Sequence, residues 1–179
     1  MLNVPQVLPA GPVTLRPFGE GDLDAASALF THPEVSRTYM LPDFRSQEEV
    51  RALFERLARL SRSPERFVRG VSLSGSLIGL INEVHVSGGS IELGWAIHPR
   101  YWGQGYASAA ASAAIGALFA AGFDTVRAGA FEENPASLRV MEKCGMQPTG
   151  ETEEIAYRGR THRCVCCAIS REPRPLTEA

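Results

Sequence analysis

The chain has 179 residues, of which 44% are hydrophobic and 21% charged, and its formal net charge at pH 7 is −2. These values are typical of a globular protein and predict one domain over 1–179, with a core at about 12–170 and a polar tail at 171–179. No basic patch indicates nucleic-acid binding, no apolar run is long enough for a membrane span, and the stretch MLNVPQVLPAG lacks the features of a secretory signal. We therefore expect a cytoplasmic protein without nucleic-acid or membrane partners.

In the first third of the chain the pattern predicts one strand and two helices. The stretch GPVTLRPF alternates apolar and polar residues, which is typical of a strand. Asp22 is a suitable N-cap for a helix that Pro33 terminates. Ser46 and Glu49 have the spacing of a capping box, and the helix that follows carries one apolar stripe, formed by Val50, Leu53, Phe54, Leu57 and Leu60.

The remainder of the chain predicts six strands and two helices. Three strands, RFVRGVSLS, SLIGLINEVHV and SIELGWAIH, precede an alanine-rich helix at about 104–121. The strand TVRAGAF then leads to a short helix with Asn134 at its N-cap, and two strands near 147–157 and 161–170 follow. The element order β-α-α-β-β-β-α-β-α-β-β predicts a mixed α+β fold.

The four cysteines lie at positions 144, 164, 166 and 167, and three of them fall in the stretch RCVCCAIS. The sequence contains neither a CxxC pair nor a histidine pair that would complete a tetrahedral metal site. Cysteine packs well as a small hydrophobic residue in a buried strand. We therefore expect no metal and no disulfide.

The stretch HPRYWGQGYAS places Gly103 and Gly105 around Gln104, directly before the alanine-rich helix. A helix N-terminus offers unpaired N–H groups and the positive end of a dipole, which together attract phosphate. Glycines at this position allow a phosphate group to approach the backbone. The same two glycines are also compatible with a simple tight turn between a strand and a helix.

Arg100-x-x-Gly103-x-Gly105 resembles the acyl-CoA loop of the GNAT N-acetyltransferase superfamily. The stretches IELGWAIHPRYWGQGYASAA and ENPASLRVMEKCGMQPTGE are similar to the RimJ/RimL branch, which acetylates N-termini of ribosomal proteins, and the resemblance extends over about 13–170. It implies a GNAT-like fold with a mixed, mostly antiparallel central sheet of about seven strands and about four flanking helices. It also implies transfer of an acetyl group from acetyl-CoA to a primary amine, by direct attack in a ternary complex and without a metal.

The resemblance assigns roles to three segments. Backbone N–H groups of Gly103–Ser108 would hold the pyrophosphate, the edge of the strand at 95–97 would pair with the pantetheine amides, and Asn134 would bond the pantetheine arm. The expected cofactor-binding residues are Trp95, Ala96, Ile97, Arg100, Gly103, Gln104, Gly105, Tyr106, Ala107, Ser108 and Asn134.

Two positions depart from the family pattern. Met141 stands where many relatives carry a tyrosine that protonates the leaving thiolate, so the resemblance assigns the contact to sulfur to Ser137. Ala109 stands where the RimJ/RimL branch tends to have a glutamate. Attack also requires a neutral amine, and Glu92 is the candidate base, with Glu83 or water as alternatives.

Other functions remain open at this point. A non-catalytic acyl-CoA-binding sensor or interaction protein would keep the same loop. A dinucleotide-binding module fits less well, because Asp124 precedes the strand that a ribose-binding acid should follow. The acceptor could be a peptide N-terminus, a polyamine, an amino acid or an antibiotic, and the protein a monomer or a homodimer. Side chains expected near the acceptor are Tyr39, Phe44, Tyr157 and Arg160.

Overall fold

A central sheet of eight strands carries helices on both faces in the computed structural model, which describes residues 2–171. The strands are Leu8–Ala10 (β1), Val13–Arg16 (β2), Val68–Leu73 (β3), Ser76–Ser87 (β4), Ser90–Ile97 (β5), Thr125–Phe131 (β6), Gln147–Tyr157 (β7) and Arg160–Ser170 (β8). The helices are Leu23–Phe30 (α1), Pro33–Ser36 (α2), Gln47–Ser61 (α3), Tyr106–Ala120 (α4) and Pro135–Lys143 (α5).

The strands are arranged in the order β1-β2-β3-β4-β5-β6-β8-β7. Neighbouring strands are antiparallel except β5 and β6, which run parallel and are connected through α4. This arrangement confirms the predicted mixed α+β fold with a mostly antiparallel sheet. The tail at 172–179 lies outside the described residues, and a single domain over 1–179 stays a prediction.

Two hydrophobic cores lie on opposite faces of the sheet. Small residues of α4, among them Ala110 and Ala114, pack closely against one face together with Ile81 and Leu93. Helices α1 and α3 cover the other face with larger side chains, including Leu29, Phe30, Val50 and Phe54. The alanine-rich sequence of α4 is therefore explained by close helix–sheet packing, because short side chains let the helix approach the strands.

Two elements were not predicted from the sequence. Strand β1 pairs with β2 through a turn at Gly11, whose φ of +61° suits glycine, so the ordered core begins before residue 12. Helix α2 begins at Pro33, which was expected only to terminate the preceding helix. Proline fits the first turn of a helix as well as it ends one, since its missing N–H is not needed there.

Asp22 stands at the predicted N-cap position of α1, but its side chain makes no capping hydrogen bond to the helix. Its carboxylate instead accepts the Gly19 N–H at 2.7 Å and forms an ion pair with Arg16 at 2.6 Å. Asp22 therefore stabilises the turn before α1 rather than the helix itself. At α3 the first half of the predicted capping box is confirmed, because Ser46 Oγ accepts the Glu49 N–H at 3.3 Å, whereas the Glu49 carboxylate accepts the Arg45 N–H at 2.7 Å instead of that of Ser46.

Two cysteines of β8, Cys164 and Cys167, are buried, which confirms that they pack as small hydrophobic residues in a strand. Cys144 and Cys166 are partly buried thiols. None of the helices within residues 2–171 combines the length and apolarity that crossing a bilayer requires.

The sheet is distorted at β4 and opens between β5 and β6. The β4–β5 register shifts between Glu83 and His85, which leaves Val84 as an extra residue on β4. Bulges of this kind bend a strand and increase its twist. Strand β5 pairs with β6 only over Ser90–Leu93, while β6 continues to pair with β8 as far as Phe131. The last residues of β5 therefore diverge from β6.

Two His-Pro dipeptides begin the short helical turns beside this opening. His32 Nδ1 accepts the Glu34 N–H at 3.2 Å at the start of α2, and His98 Nδ1 accepts the Arg100 N–H at 3.3 Å after β5. The two imidazole rings meet edge to face, with centroids 5.1 Å apart. Both caps require an unprotonated Nδ1. Burial, followed by the neighbouring charges of His32 and Arg100, lowers the pKa of His98.

This geometry predicts a loss of stability in mild acid. The pKa of His98 is lower in the folded protein than in the unfolded chain. Its contribution to the free energy of unfolding is therefore complete above about pH 6.5, the ordinary pKa of an unfolded histidine, and is lost as the pH falls through the pKa of the folded state. An asparagine can accept the same N–H without titrating. We expect the Tm of the wild type to fall more than that of His98→Asn between about pH 7.5 and about pH 5.5. Equal decreases in Tm would contradict this role.

Candidate active site

A cleft of about 460 Å³ occupies the opening between β5 and β6. Its walls come from residues 37–46 (the segment after α2), the end of β5, the loop before α4, the end of β6 and one side of α5. The lining residues on β5 and on the loop and start of α4 are Leu93, Gly94, Trp95, Ala96, Ile97, Tyr101, Trp102, Gly103, Gly105, Tyr106, Ala107 and Ser108. The opposite wall includes Gly129, Ala130, Glu133, Asn134, Pro135, Ala136, Ser137, Arg139, Val140 and Lys143.

The cleft brings together most of the residues expected from the sequence. Those that line it are Trp95, Ala96, Ile97, Gly103, Gly105, Tyr106, Ala107, Ser108, Asn134 and Ser137. The side chains of Arg100 and Gln104 are exposed beside the loop, and Gln104 Oε1 accepts the Tyr106 hydroxyl at 3.1 Å. Glu92 also lies outside the lining. The two motifs, although about 30 residues apart, thus form opposite walls of one cleft.

The free edge of β5 faces the cleft through alternate residues. The His98 N–H donates to Ile78 O of β4 at 2.8 Å, and Ala96 pairs with Leu80 of the same strand. Because backbone groups alternate in direction along a strand, those of Trp95 and Ile97 point away from β4, toward the cleft. The expectation that Ala96 offers its backbone to a ligand is therefore wrong, since pairing with β4 uses that side.

Trp102 fastens the end of this strand to the following loop. Its indole Nε1 donates to the Ile97 carbonyl at 2.6 Å, although 46% of the residue remains exposed. The bond occupies one of the cleft-facing carbonyls of β5. The Trp95 backbone and the Ile97 N–H are therefore the groups left to pair with a bound molecule.

The loop that follows ends in an uncapped helix N-terminus. Gly105 is the N-cap of α4 and adopts a left-handed conformation, with φ of +82°, and Gly103 has φ of +75°. The first helical bond is from the Ala109 N–H to the Gly105 carbonyl at 3.0 Å. Across the described residues 2–171, no protein group accepts a hydrogen bond from the N–H groups of 103–108. Six adjacent donors at the positive end of a helix form an anion site.

Two basic residues on α5 add positive charge to this cleft, and the sequence reading missed them. Arg139 and Lys143 both line it. Cys144, at the end of α5, contacts α4 through Ser112 Oγ at 3.4 Å and the Ser108 carbonyl at 3.6 Å. In the sequence, Arg139 and Lys143 could have been found from their spacing of four residues, which places two side chains on the same face of a helix.

Asn134 and Ser137 are joined by two hydrogen bonds at the start of α5. The Asn134 side chain accepts the Ser137 N–H at 3.3 Å and donates to Ser137 Oγ at 3.0 Å. This confirms the predicted N-cap. Ser137 Oγ thus receives one hydrogen bond while its own hydrogen stays available to donate. Met141, one turn further along α5, is buried in the core.

The two glutamates considered as bases occupy different environments. Glu83 is buried, accepts the Phe67 N–H at 2.8 Å and pairs with Arg66, so hydrogen bonding and charge pairing both fix its carboxylate away from the cleft lining. Glu92 lies behind Gly129, where a Cβ would be 3.6 Å from Glu92 Oε1. Burial, aided by the nearby Glu153, raises the pKa of Glu92. Of the two, only Glu92 borders the cleft.

Tyr39 lines the cleft, whereas Tyr157 lies outside its lining and anchors the chain that follows α2. The Tyr39 hydroxyl donates to Asn82 Oδ1 at 2.5 Å, while burial raises its pKa. The Tyr157 hydroxyl donates to the Ser36 carbonyl at 2.6 Å and accepts the Leu41 N–H at 3.3 Å. Tyr157 therefore holds the segment after α2 against the β7–β8 hairpin.

The other two residues expected near the acceptor, Phe44 and Arg160, do not line the cleft. Phe44 packs at the edge of the core formed by α1 and α3. Arg160 is exposed at the start of β8, where its positive charge acts on the Glu133 carboxylate. Next to it in the hairpin turn, Arg158 pairs with Asp43 at 2.6 Å, which adds a second link between the hairpin and the segment after α2.

Comparison with known proteins identifies relatives of the whole fold. Residues 13–147 match the family described as Acetyltransferase (GNAT) domain. The uncharacterised N-acetyltransferase YoaA of Bacillus subtilis (strain 168) is 28% identical over 160 residues, covering 87% of this chain and 90% of that protein. A GNAT-family acetyltransferase from Bacillus anthracis has a TM-score of 0.80 at 25% identity, covering 92% of this chain and 98% of that chain.

The ribosomal L7/L12 α-N-protein acetyltransferase RimL, solved with coenzyme A, has a TM-score of 0.81 at 16% identity, covering 92% of this chain and 97% of that chain. This similarity supports the RimJ/RimL-like resemblance at the level of the fold. The family match spans 13–147 and therefore includes the β5 edge, the glycine loop and α5. The chain belongs to the GNAT family of N-acetyltransferases.

Proposed function

We propose that this protein transfers the acetyl group of acetyl-CoA to a primary amine, by direct attack of the amine in a ternary complex. The observation that carries the proposal is the free edge of β5 beside the uncapped N-terminus of α4, within one cleft. Coenzyme A combines an arm with two amides and a polyanionic end. An unpaired strand edge is complementary to the amides, and a helix N-terminus is complementary to the phosphates.

The anionic end of acetyl-CoA would be held by backbone and side-chain charges together. The N–H groups of 103–108 would bind the pyrophosphate, and Arg139 and Lys143 would neutralise the remaining phosphate charge. Arg100 would act only as an exposed charge near the loop. The left-handed glycines leave open space beside the donors, because a Cβ at Gly103 or Gly105 would have no protein atom within 4 Å.

The amide arm would lie along β5. The Trp95 backbone and the Ile97 N–H would pair with the pantetheine amides or the thioester carbonyl, and Asn134 would bond the arm from the opposite wall. The bond from Trp102 to the Ile97 carbonyl fixes the distance between this strand and the loop. Because the strand edge and the loop are already ordered before the ligand binds, the entropic cost of binding a long ligand is lower.

In the reaction, the amine nitrogen attacks the thioester carbonyl carbon, the carbon–sulfur bond breaks, and coenzyme A leaves as a thiolate. Met141 has no proton to donate and is buried, so Ser137 would donate a hydrogen bond to the sulfur. Glu92 would take up a proton through water, since it borders the cleft without lining it. Much of the rate would come from holding the amine against the thioester.

We propose a RimJ/RimL-like cytoplasmic enzyme, with the acceptor bound between the segment after α2 and the β7–β8 hairpin. A non-catalytic acyl-CoA sensor of the same fold would bind coenzyme A without consuming acetyl-CoA. Thiol release from acetyl-CoA with a panel of amines separates the two functions, because only an enzyme releases free coenzyme A in proportion to the amide formed.

Coenzyme A should stabilise the folded protein, whereas NAD should not. A ligand that binds only the native state adds about 2.7 kcal/mol at a hundredfold excess over its Kd. For a chain of this size that corresponds to an increase in Tm of roughly 5–10 °C. Thermal melts with each ligand test this directly. A Tm increase with NAD and none with coenzyme A would refute the proposed function.

Gly105→Ala should weaken coenzyme A binding at least tenfold through its added methyl group. Gly75→Ala provides a matched control, because Gly75 also has a positive φ (+88°) and open space at Cβ but lies in the turn between β3 and β4. Each substitution should cost roughly 1–2 kcal/mol of stability through left-handed strain. Calorimetric titration should then show a weaker Kd for the Gly105 variant alone. Equal affinities in both variants would mean that the loop is only a turn.

Ser137→Ala should lower kcat by roughly a hundredfold and leave the KM for acetyl-CoA nearly unchanged, because the lost contact acts on charge that develops in the transition state. The Asn134 cap to the backbone N–H of residue 137 is retained. Ser112→Ala is the control, since Ser112 lies on the exposed side of α4 and does not line the cleft. An unchanged kcat at saturating acetyl-CoA would remove Ser137 from the mechanism.

A further inference from the structure

Charged side chains are unevenly distributed along the cleft. Arg139 and Lys143 face it from α5, on the side of the proposed phosphate site. Arg37 also lines the cleft but pairs with Glu34 at 3.2 Å. In the part of the chain that the structure describes, Glu133 supplies the one carboxylate of the lining. The cleft therefore has a cationic region on α5 and an anionic group at the end of β6.

The Glu133 carboxylate is held in place by a buried histidine. His162 of β8 is 7% exposed, its Nδ1 hydrogen-bonds Glu133 Oε1, and its ring stacks on Phe131 with centroids 4.3 Å apart. The turn that carries Glu133 is fixed by the Glu132 N–H to the Arg163 carbonyl and by the Asn134 N–H to the Phe131 carbonyl, each at 2.8 Å. Glu133 itself remains 46% exposed. The side chain is thus positioned but accessible.

We propose that Glu133 receives the ammonium group of the acceptor and takes up its proton as the nitrogen attacks. The inference rests on the proposed function and names the class of acceptor, an aliphatic primary amine that is protonated at neutral pH. In this step an N–H bond of the ammonium breaks and an O–H bond forms on Glu133. The freed electron pair on nitrogen forms the bond to the thioester carbon. The second proton that the nitrogen loses passes through water to Glu92, and coenzyme A leaves as the thiolate. His162 acts as a positioning residue.

The position of Glu133 relative to Ser137 supports this role. In the tetrahedral intermediate the nitrogen and the sulfur are bonded to the same carbon, so the groups that serve them must lie close together. Glu133 directly precedes Asn134, whose side chain binds Ser137. Glu92, by contrast, reaches the cleft only from behind Gly129. A carboxylate that lines the cleft can contact the amine without an intervening water.

The charge state of Glu133 suits the capture of a cation. Hydrogen bonds from its own backbone N–H and from His162 lower its pKa, and the positive charge of Arg160 acts in the same direction. The carboxylate is therefore ionised at neutral pH. His162 and Arg160, both on β8, are the titratable and charged groups that face it.

Glu133→Gln tests the proposal, with Glu132→Gln as the matched control. Glu132 is the neighbouring residue, is exposed, lies 3.8 Å from Arg163 and does not line the cleft. The probes are n-butylamine, 1,4-diaminobutane and a trialanine amide with a free N-terminus. We expect kcat/KM for an acetylated probe to fall about a hundredfold in the Glu133 variant at neutral pH and to stay normal in the control.

The pH profile distinguishes proton uptake from a structural role. As the pH rises toward the pKa of the amine, more of it is neutral and the base is needed less. The deficit of Glu133→Gln should therefore shrink as the pH approaches about 9.5, while the Tm shift with coenzyme A stays equal to that of the wild type.

The possible outcomes separate the role of Glu133 from the acetyltransferase function. A normal kcat/KM in the Glu133 variant, or a deficit that does not change with pH, overturns the proposed role of Glu133 and leaves the acetyltransferase function intact. A wild type that binds coenzyme A but acetylates none of the three cationic probes also overturns it. A wild type without any coenzyme A-dependent Tm shift refutes the proposed function itself.

Discussion

The organisation of the cleft depends on the point at which β5 and β6 stop pairing, after Leu93 and Ala128. Beyond it, β5 remains bonded to β4 and β6 to β8, so each strand has one satisfied side and one open side. Buried backbone N–H and C=O groups without partners would cost several kcal/mol each. The open sides must therefore face water or a ligand, and the result is a cleft with unpaired backbone groups along two of its walls.

The loop after β5 converts this cleft into a site for a longer molecule. Trp102 bonds the Ile97 carbonyl at the end of the strand, and a few residues later Gly105 begins α4 in a left-handed conformation. A strand edge and a helix N-terminus are thereby connected by a short segment with little freedom. Neither part alone is specific, since sheet edges and helix N-termini are common. Their fixed separation is what suits a molecule with amides at one end and phosphates at the other.

Sequence patterns predicted the features that depend on local interactions. The Asn134 cap and the glycine loop each involve residues only a few positions apart, and the structure has both. The missed features depend on distant partners. Strand β1 has three residues and forms by pairing with β2, and the direction of the Ala96 backbone is set by β4. The contact between Glu133 and His162 spans 29 residues of sequence and follows from the pairing of β6 with β8.

Three glutamates on or beside the central strands show why composition alone does not assign chemistry. Glu83 lies at the β4 bulge, where its backbone N–H donates to Phe67 O at 2.7 Å and its carboxylate accepts the Phe67 N–H, so it stabilises the distortion next to which the cleft opens. Burial raises the pKa of Glu92, which suits it to hold the second proton of the reaction, and its place behind Gly129 keeps it from direct contact with an acceptor. Glu133 is accessible and ionised, and so is suited to meet a cation. One type of side chain thus supports the sheet at one position, borders the cleft at another and lines it at a third, according to its hydrogen bonds and exposure.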